Sequence, residues 1–125
     1  MNNTMALLLS DTYKQCHSRM YPKGLTKLVS YWVPRRSMLE NRNKMVFFGL
    51  QAFIKEYLME YFQENFFDLP EDEMVSLYTD SMDIQIGKDN YDLDNIVQLH
   101  RLGYLPLEIK ALSEGTLVPT GVPCI

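Results

Sequence analysis

Hydrophobic residues recur at three- and four-residue intervals in the middle of the chain, with polar residues between them. The longest such pattern covers 45–62 and predicts the main core helix, whose aromatic residues are expected to pack in the core rather than to hold a cofactor. A second helix is predicted from near Pro70, with Met74, Tyr78 and Met82 recurring four residues apart on its buried face. Both patterns predict helices that pack one face against a common core.

The next pattern predicts a third helix that lies between a turn and a glycine. The turn is expected at 87–90, and either Asp92 or Asp94 is placed to cap the start of the helix. Gly103 follows the last periodic residue and is expected to end the helix in the left-handed conformation. His100 lies on the apolar face, so we interpret it as a packed, hydrogen-bonded residue rather than a catalyst.

Three shorter segments have features that are typical of strands. Residues 26–33 are rich in β-branched and aromatic side chains, and 105–112 alternate apolar with polar positions. Residues 116–119 are expected to run back beside 105–112 as a hairpin after a turn at Gly115. Together with the helices, these segments predict an α+β fold in which a small mixed or antiparallel sheet carries three or four packed helices.

The most polar and reactive stretch is 10–22, which follows an apolar run at 5–9 that is expected to anchor it to the core. Ser10 or Asp11 can cap a helix and Pro22 cannot continue one, so a short helix of about three turns is predicted.

Helical spacing divides this stretch into two faces. Tyr13 and His17 share one face with Met20 or Tyr21, and an adjacent polar face carries Asp11, Lys14 and Ser18. Two interpretations of the first face stay open. Tyr13 and His17 either grip a flat polar ligand beside a carboxylate, or they are half-buried packing residues.

Composition limits the class of protein. The chain has 125 residues, 46% of them hydrophobic and 22% charged, which suits one packed domain. Its formal net charge of -4 gives no general attraction for nucleic acid. Cys16 and Cys124 lack zinc-ligand spacing and are expected to be reduced thiols. Because neither a secretory signal nor an apolar run of roughly twenty residues is present, we expect a cytoplasmic protein without a membrane segment.

A local excess of positive charge lies in the predicted loop 34–44, where four basic residues stand against one carboxylate. Arg35 and Arg36 are the first two of these basic residues. Such a loop is either simply solvated or binds phosphate, for which the planar fork of arginine is well shaped.

Four segments, taken in order, resemble the start of the nicotinamide phosphoribosyltransferase family. They are LLSDTYKQCH at 8–17, VSYWVPR at 29–35, VFFGLQ at 46–51 and GYLPLEIKALSEG at 103–115. Their order and spacing make the resemblance specific. It implies the N-terminal domain of a type II phosphoribosyltransferase, a pentosyltransferase that converts nicotinamide and phosphoribosyl pyrophosphate to nicotinamide mononucleotide and pyrophosphate in the salvage route to NAD.

The resemblance also implies a homodimer in which two subunits share each active site, so that this domain serves its partner's site. Tyr13 is then expected to stack on the nicotinamide ring with Asp11 close to the same ring, and Arg35 to contact phosphate or pyrophosphate. Supporting contacts are expected from Lys14, His17 and Arg36. No catalytic residue and no metal ligand are expected in this chain.

In the family, the residues that bind ribose and magnesium lie in a barrel-like domain beyond the region that this chain resembles. We therefore expect Mg²⁺ in the complete enzyme, and we expect residues 1–125 to be inactive alone and truncated before that domain. The apolar stretch 122–125 favours truncation over a natural short product.

Two alternatives remain beside the nicotinamide enzyme. One is a nicotinate-specific relative, although Asp11 beside the ring favours the neutral amide by like-charge repulsion of a carboxylate. The other is a free-standing, non-catalytic binding or interaction module.

Overall fold

The computed structural model describes residues 4–125, which divide into two compact units. Unit 1 contains the described part of Met1–Leu25 together with Ile54–Leu105, and unit 2 contains Thr26–Phe53 and Pro106–Ile125. Helices and a two-stranded antiparallel sheet confirm the predicted α+β class. Within the described residues, no helix is long and apolar enough to cross a membrane.

The elements follow one another from an N-terminal helical segment to a C-terminal strand. In chain order they are 3-10 helices Ala6–Leu9 and Thr12–Met20, strand β1 (Lys44–Val46), helix α1 (Leu50–Phe53), π-helical segments Ile54–Tyr61 and Gln63–Phe67, helices α2 (Glu71–Gln85) and α3 (Leu93–Leu102), and strand β2 (Leu117–Pro119).

The core of unit 1 is built on α2. Met74, Tyr78 and Met82 are 0%, 0% and 1% exposed, which confirms the buried face predicted from their spacing. Other buried members of this core are Met5, Ala6, Phe66 and Ile96. The apolar run at 5–9 therefore does anchor the polar stretch that follows it, since its first residues lie inside this core.

Helix α3 begins and ends as the sequence predicts. Asp92, not Asp94, is the cap, and its carboxylate accepts a hydrogen bond from the Asn95 N–H at 3.1 Å. Gly103 ends the helix with φ 76°, a left-handed conformation. The ring of His100 hydrogen-bonds the carbonyl of Leu69 at 2.9 Å through Nε2, which confirms a packed, hydrogen-bonded histidine.

The predicted core helix over 45–62 is partly wrong. Met45 belongs to β1, and helix α1 starts at Leu50, after Gly49 with φ 96°. The helical region then extends beyond the predicted end, to Phe67. Its π-helical turns are wider than α-helical ones, so side chains leave the stripe expected for an α-helix, and Tyr57 is 47% exposed.

Unit 2 is organised around the pairing of β1 with β2. Met45 stands opposite Val118 in this antiparallel pair. The ladder is extended by a hydrogen bond from the Phe47 N–H to the Thr116 carbonyl at 2.9 Å. Phe47, Val118 and Cys124 form the buried core of this unit, and both Cys124 and Cys16 are free thiols as expected.

Two predicted strands are absent from the described chain. Neither 26–33 nor 105–112 is a strand, and β2 pairs with the distant β1 instead of forming a hairpin with 105–112. Trp32 and Leu112 each hydrogen-bond the backbone of residues 124–125. Side-chain composition and alternation indicate only that a segment suits a strand. A strand also needs a neighbouring strand that hydrogen-bonds its backbone, and within residues 4–125 these two segments have none along their length.

Candidate functional site

The predicted short helix in 10–22 exists as the 3-10 helix Thr12–Met20, preceded by Asp11. A 3-10 helix has about three residues per turn, so residues three apart lie above one another. Thr12, Gln15 and Ser18 therefore form one ridge, which we call the anchoring ridge. Because this period differs from that of an α-helix, the faces differ from those that the sequence predicted.

Gln15 is the most extensively bonded residue of the anchoring ridge. Its Nε2 donates to the Leu7 carbonyl at 2.9 Å and to the Ser10 Oγ at 2.6 Å. Its Oε1 accepts a hydrogen bond from the hydroxyl of Tyr78 at 3.2 Å. The amide thus connects the helix both to the preceding segment and to the core helix α2.

The other two ridge residues bond to the ends of α2 and α3. The Thr12 hydroxyl donates to the side-chain oxygen of Gln85, and the Ser18 Oγ donates to the Asp92 Oδ2 at 3.2 Å. Ser18 therefore does not belong to a polar face with Asp11 and Lys14. That prediction was wrong because it assumed α-helical spacing.

Tyr13, in contrast, is presented to solvent. Its side chain is 61% exposed, so it is not a half-buried packing residue. The half-buried ring of His17 lies 5.5 Å from the Tyr13 ring between centroids, at an interplanar angle of 57°. The Lys14 Nζ lies 5.7 Å from the centroid of the same tyrosine ring. The Tyr13 ring therefore has both His17 and Lys14 as neighbours, and a ligand-binding surface built on these residues requires this proximity.

An exposed ion pair accompanies the tyrosine. The Lys14 Nζ lies 2.9 Å from the Asp11 Oδ2. The hydrogen bond and positive charge of Lys14 hold the pKa of the Asp11 carboxyl below its usual value, and the same contact raises the pKa of Lys14. At neutral pH both groups are charged, so a carboxylate acceptor and an ammonium donor stand beside an exposed aromatic ring.

The two arginines of the predicted site belong to the other unit. Asp11, Tyr13, Lys14 and His17 are grouped in unit 1, whereas Arg35 and Arg36 are exposed residues of unit 2. The segment before these arginines is held by a hydrogen bond from the Gly121 N–H to the Pro34 carbonyl at 2.8 Å.

A shallow cleft of about 370 Å³ opens at the end of the Tyr13 helix and the start of α3. It is lined by Arg19, Asp89, Tyr91, Asp92, Leu93 and Asp94. Three carboxylates against one guanidinium make this lining unsuited to phosphate. In residues 4–125, no three His, Cys, Asp or Glu side chains are grouped so that they could hold a metal ion.

Sequence reasoning missed the residues that fix the helix in place. Gln15 was not singled out, Tyr78 was interpreted only as a buried ring, and Asp92 only as a helix cap. The three-residue spacing of Thr12, Gln15 and Ser18, all small or amide hydrogen-bonding residues, is the signal that could have revealed the anchoring ridge.

Residues 5–109 match the family model described as nicotinamide phosphoribosyltransferase, N-terminal domain. A curated relative, the nicotinamide phosphoribosyltransferase of Acinetobacter baylyi, is 42% identical over 120 residues. This alignment covers 92% of the chain and 24% of the relative, so the chain spans about a quarter of the relative's length. No solved structure matches the chain significantly.

Proposed function

Because this chain belongs to the nicotinamide phosphoribosyltransferase family, in which it matches the N-terminal domain, we propose that it is part of an enzyme that transfers a phosphoribosyl group to nicotinamide. The complete enzyme would form nicotinamide mononucleotide and pyrophosphate from nicotinamide and phosphoribosyl pyrophosphate, a salvage step of NAD biosynthesis. Since the chain spans about a quarter of its relative, we assign this activity to the complete protein and not to residues 1–125 alone.

The observation that carries the proposal is the exposed ring of Tyr13 within the matched region. A pyridine ring is flat and aromatic, and an offset or edge contact between two aromatic rings contributes about 0.5–1.5 kcal/mol beyond the area that it buries. We propose that Tyr13 supplies this contact to the nicotinamide ring. His17 supports it from the side, because its ring is inclined to that of Tyr13 and is itself half-buried.

The charged pair beside Tyr13 bears on the choice between nicotinamide and nicotinate. The carboxylate of Asp11 can accept a hydrogen bond from a carboxamide N–H, whereas it repels a pyridine carboxylate. The ammonium of Lys14 at 2.9 Å offsets part of that repulsion. We therefore propose nicotinamide as the preferred substrate, with a preference that Lys14 moderates.

The proposal extends to the assembly of the complete enzyme. We propose a cytoplasmic homodimer in which each active site takes Tyr13 and Asp11 from one subunit, and in which Arg35, supported by Arg36, contacts phosphate or pyrophosphate. A guanidinium binds phosphate oxygens well because its donors form a planar fork. Mg²⁺ is proposed for the complete enzyme, and no residue of this chain is assigned to it.

The test compares two tyrosine variants in the complete protein. Product formation from nicotinamide, phosphoribosyl pyrophosphate and Mg²⁺ is measured for the wild type, for Tyr13→Ala and for the control Tyr21→Ala, which removes a partly exposed tyrosine just after the same helix. We expect Tyr13→Ala to raise the KM for nicotinamide about fivefold, from a loss of about 1 kcal/mol, and Tyr21→Ala to leave it unchanged.

Three results would count against the proposal. Unchanged kinetics in Tyr13→Ala would remove the stacking role. Faster turnover of nicotinate than of nicotinamide would identify a nicotinate-specific relative. Absence of product from the complete protein would contradict the enzymatic function and favour the non-catalytic binding module, which a calorimetric titration of nicotinamide would then test.

A further inference from the structure

A buried hydrogen-bond donor in the core of unit 1 points at the helix that carries Tyr13. The side chain of Tyr78 is 0% exposed, and its hydroxyl donates to the Gln15 Oε1 at 3.2 Å. Burial raises the pKa of Tyr78 to about 12, so this hydroxyl keeps its proton at any physiological pH. It is therefore a permanent donor, and Gln15 is its acceptor.

The amide of Gln15 is held in one orientation. Its oxygen faces Tyr78, while its nitrogen donates to the Leu7 carbonyl at 2.9 Å and to the Ser10 Oγ at 2.6 Å. Rotating the amide by half a turn would place an N–H against the Tyr78 hydroxyl and an oxygen against the Leu7 carbonyl. Because two acceptors would then face each other, the observed orientation is the one that satisfies all of these groups.

The helix depends on such contacts for its position. None of its nine residues is buried, and short 3-10 helices have weaker hydrogen-bond geometry than α-helices. Most of the stability of short helices in proteins comes from tertiary contacts rather than from intrinsic propensity. For this helix the central tertiary contact is the Gln15 amide, two residues after Tyr13.

We propose that Gln15 is a positioning residue, which together with Tyr78 fixes the rotation of the helix Thr12–Met20 so that the Tyr13 ring is presented to the pyridine substrate. This role rests on the proposed function for its substrate, and on the hydrogen bonds of Gln15 for its mechanism. The pair does not touch the substrate. Instead, the pair determines the position of the Tyr13 ring, which does touch the substrate.

The kinetic test uses the complete protein with three variants. Gln15→Met keeps the length of the side chain but removes both polar ends, and Tyr78→Phe removes only the buried donor. The matched control is Tyr91→Phe, because the Tyr91 hydroxyl donates to Asp83 at 2.7 Å and its ring packs 5.6 Å from that of Tyr78 without bonding to Gln15.

We expect Tyr78→Phe to raise the KM for nicotinamide about 2- to 10-fold, the range that one hydrogen bond supplies, and Gln15→Met, which removes three hydrogen bonds, to raise it at least as much. The kcat and the KM for phosphoribosyl pyrophosphate should stay within about twofold, and the double variant should be no worse than the more impaired single variant. Equal rises in both KM values, or the same effect in Tyr91→Phe, would show a general loss of stability and overturn the proposal.

A second measurement separates this inference from the proposed function. Amide hydrogen exchange on the same proteins should be about 2- to 10-fold faster in residues 12–20 of Tyr78→Phe and at least as fast in Gln15→Met, with no change in α3 and none in Tyr91→Phe. If the wild type makes no product, the proposed function is wrong, but faster exchange still supports the positioning of the helix. Unchanged exchange in 12–20 overturns it. Should Tyr78→Phe fail to fold, Gln15→Met alone decides the result.

Discussion

A single substitution at Asp92 should loosen both α3 and the helix that carries Tyr13. One carboxylate oxygen of Asp92 caps α3 by accepting from the Asn95 N–H at 3.1 Å, and the other accepts from the Ser18 hydroxyl at 3.2 Å. Asp92→Ala removes both acceptors at once. We therefore expect a larger loss of unfolding free energy than a helix cap alone would give.

The magnitude follows from the two lost bonds. Replacing an aspartate cap by alanine typically costs about 1 kcal/mol, and the bond to Ser18 adds about 0.5–1.5 kcal/mol, so the expected loss is about 1.5–2.5 kcal/mol. Asp94 is the matched control, because it is an exposed carboxylate in the first turn of the same helix but is not the cap. Asp94→Ala should cost only its interaction with the helix dipole, about 0.3–1 kcal/mol.

The assay is urea unfolding followed by far-ultraviolet circular dichroism, with the free energy obtained by linear extrapolation. Asp92→Asn keeps an oxygen acceptor for the Asn95 N–H, and its NH2 group can donate to the Ser18 hydroxyl, which accepts as well as donates, so this variant should stay within about 0.5 kcal/mol of the wild type. Ser18→Ala should cost less in the Asp92→Ala background than in the wild type, since their shared bond is already lost. If Asp92→Ala is no more destabilising than Asp94→Ala, the double role of this carboxylate is refuted.

Three further predictions concern the core, the exposed ion pair and the end of α3. The pKa of Tyr78 is raised to about 12 in the folded chain, against 10.0 in the unfolded chain. Its contribution to the free energy of unfolding is therefore complete below pH 10 and is lost as the pH rises through 12, by up to about 1.4 kcal/mol per pH unit. Urea unfolding across this range should show a smaller loss of unfolding free energy in Tyr78→Phe than in the wild type. Lys14→Ala should raise the pKa of the Asp11 carboxyl towards 3.8 in an NMR titration, and an unchanged pKa would contradict the ion pair. Gly103→Ala should cost about 1–2 kcal/mol in urea unfolding because φ is 76°, although no atom beyond the adjoining backbone and neighbouring residues lies within 4 Å of the added methyl. A cost below that of Gly103→Asn would refute this cause.

The helices that the sequence predicted well are those whose signals are local. In α2 the spacing of Met74, Tyr78 and Met82 is both the pattern that identifies the helix and the set of side chains that the core buries. In α3 the cap at Asp92 and the left-handed Gly103 act on backbone groups within one turn of themselves. Such elements need no knowledge of distant residues to be recognised.

The sheet could not be predicted in this way, because its pairing joins residues that are far apart in the sequence. Val118 in β2 had a correctly predicted strand segment but a wrongly predicted partner, since nothing local distinguishes Met45 from the nearer candidate strand at 105–112. Met45 itself had been placed in a helix by its apolar spacing. The positive φ of Gly49 separates the strand from the helix, and a lone glycine in a periodic pattern is a weak sequence signal for such a break.

At the candidate site, the sequence predicted which residues lie close together better than it predicted the face of the helix on which each side chain lies. The predicted proximity of Tyr13 and His17 appears in the structure, and Asp11 and Lys14, which were placed on one face, are neighbours that form an ion pair. The assignment of Ser18 to the face of Lys14 was wrong, because the spacing of an α-helix was applied to a segment that winds more tightly. The three-residue spacing of Thr12, Gln15 and Ser18 is only a weak signal for the tighter winding, because residues three apart are also neighbours on an α-helix.

The three-residue period of this helix separates the residues that hold it from the residues that it presents. Thr12, Gln15 and Ser18 repeat on one ridge and bond to the rest of unit 1, so Tyr13 can remain exposed without leaving the helix unattached. All three anchors are polar, and the helix buries no residue completely. Hydrogen bonds are directional whereas apolar contact is not, so these anchors fix the rotation of the helix more closely than burial would. A change in the anchoring ridge should therefore redirect the Tyr13 ring before it unfolds the core, which remains held by α2.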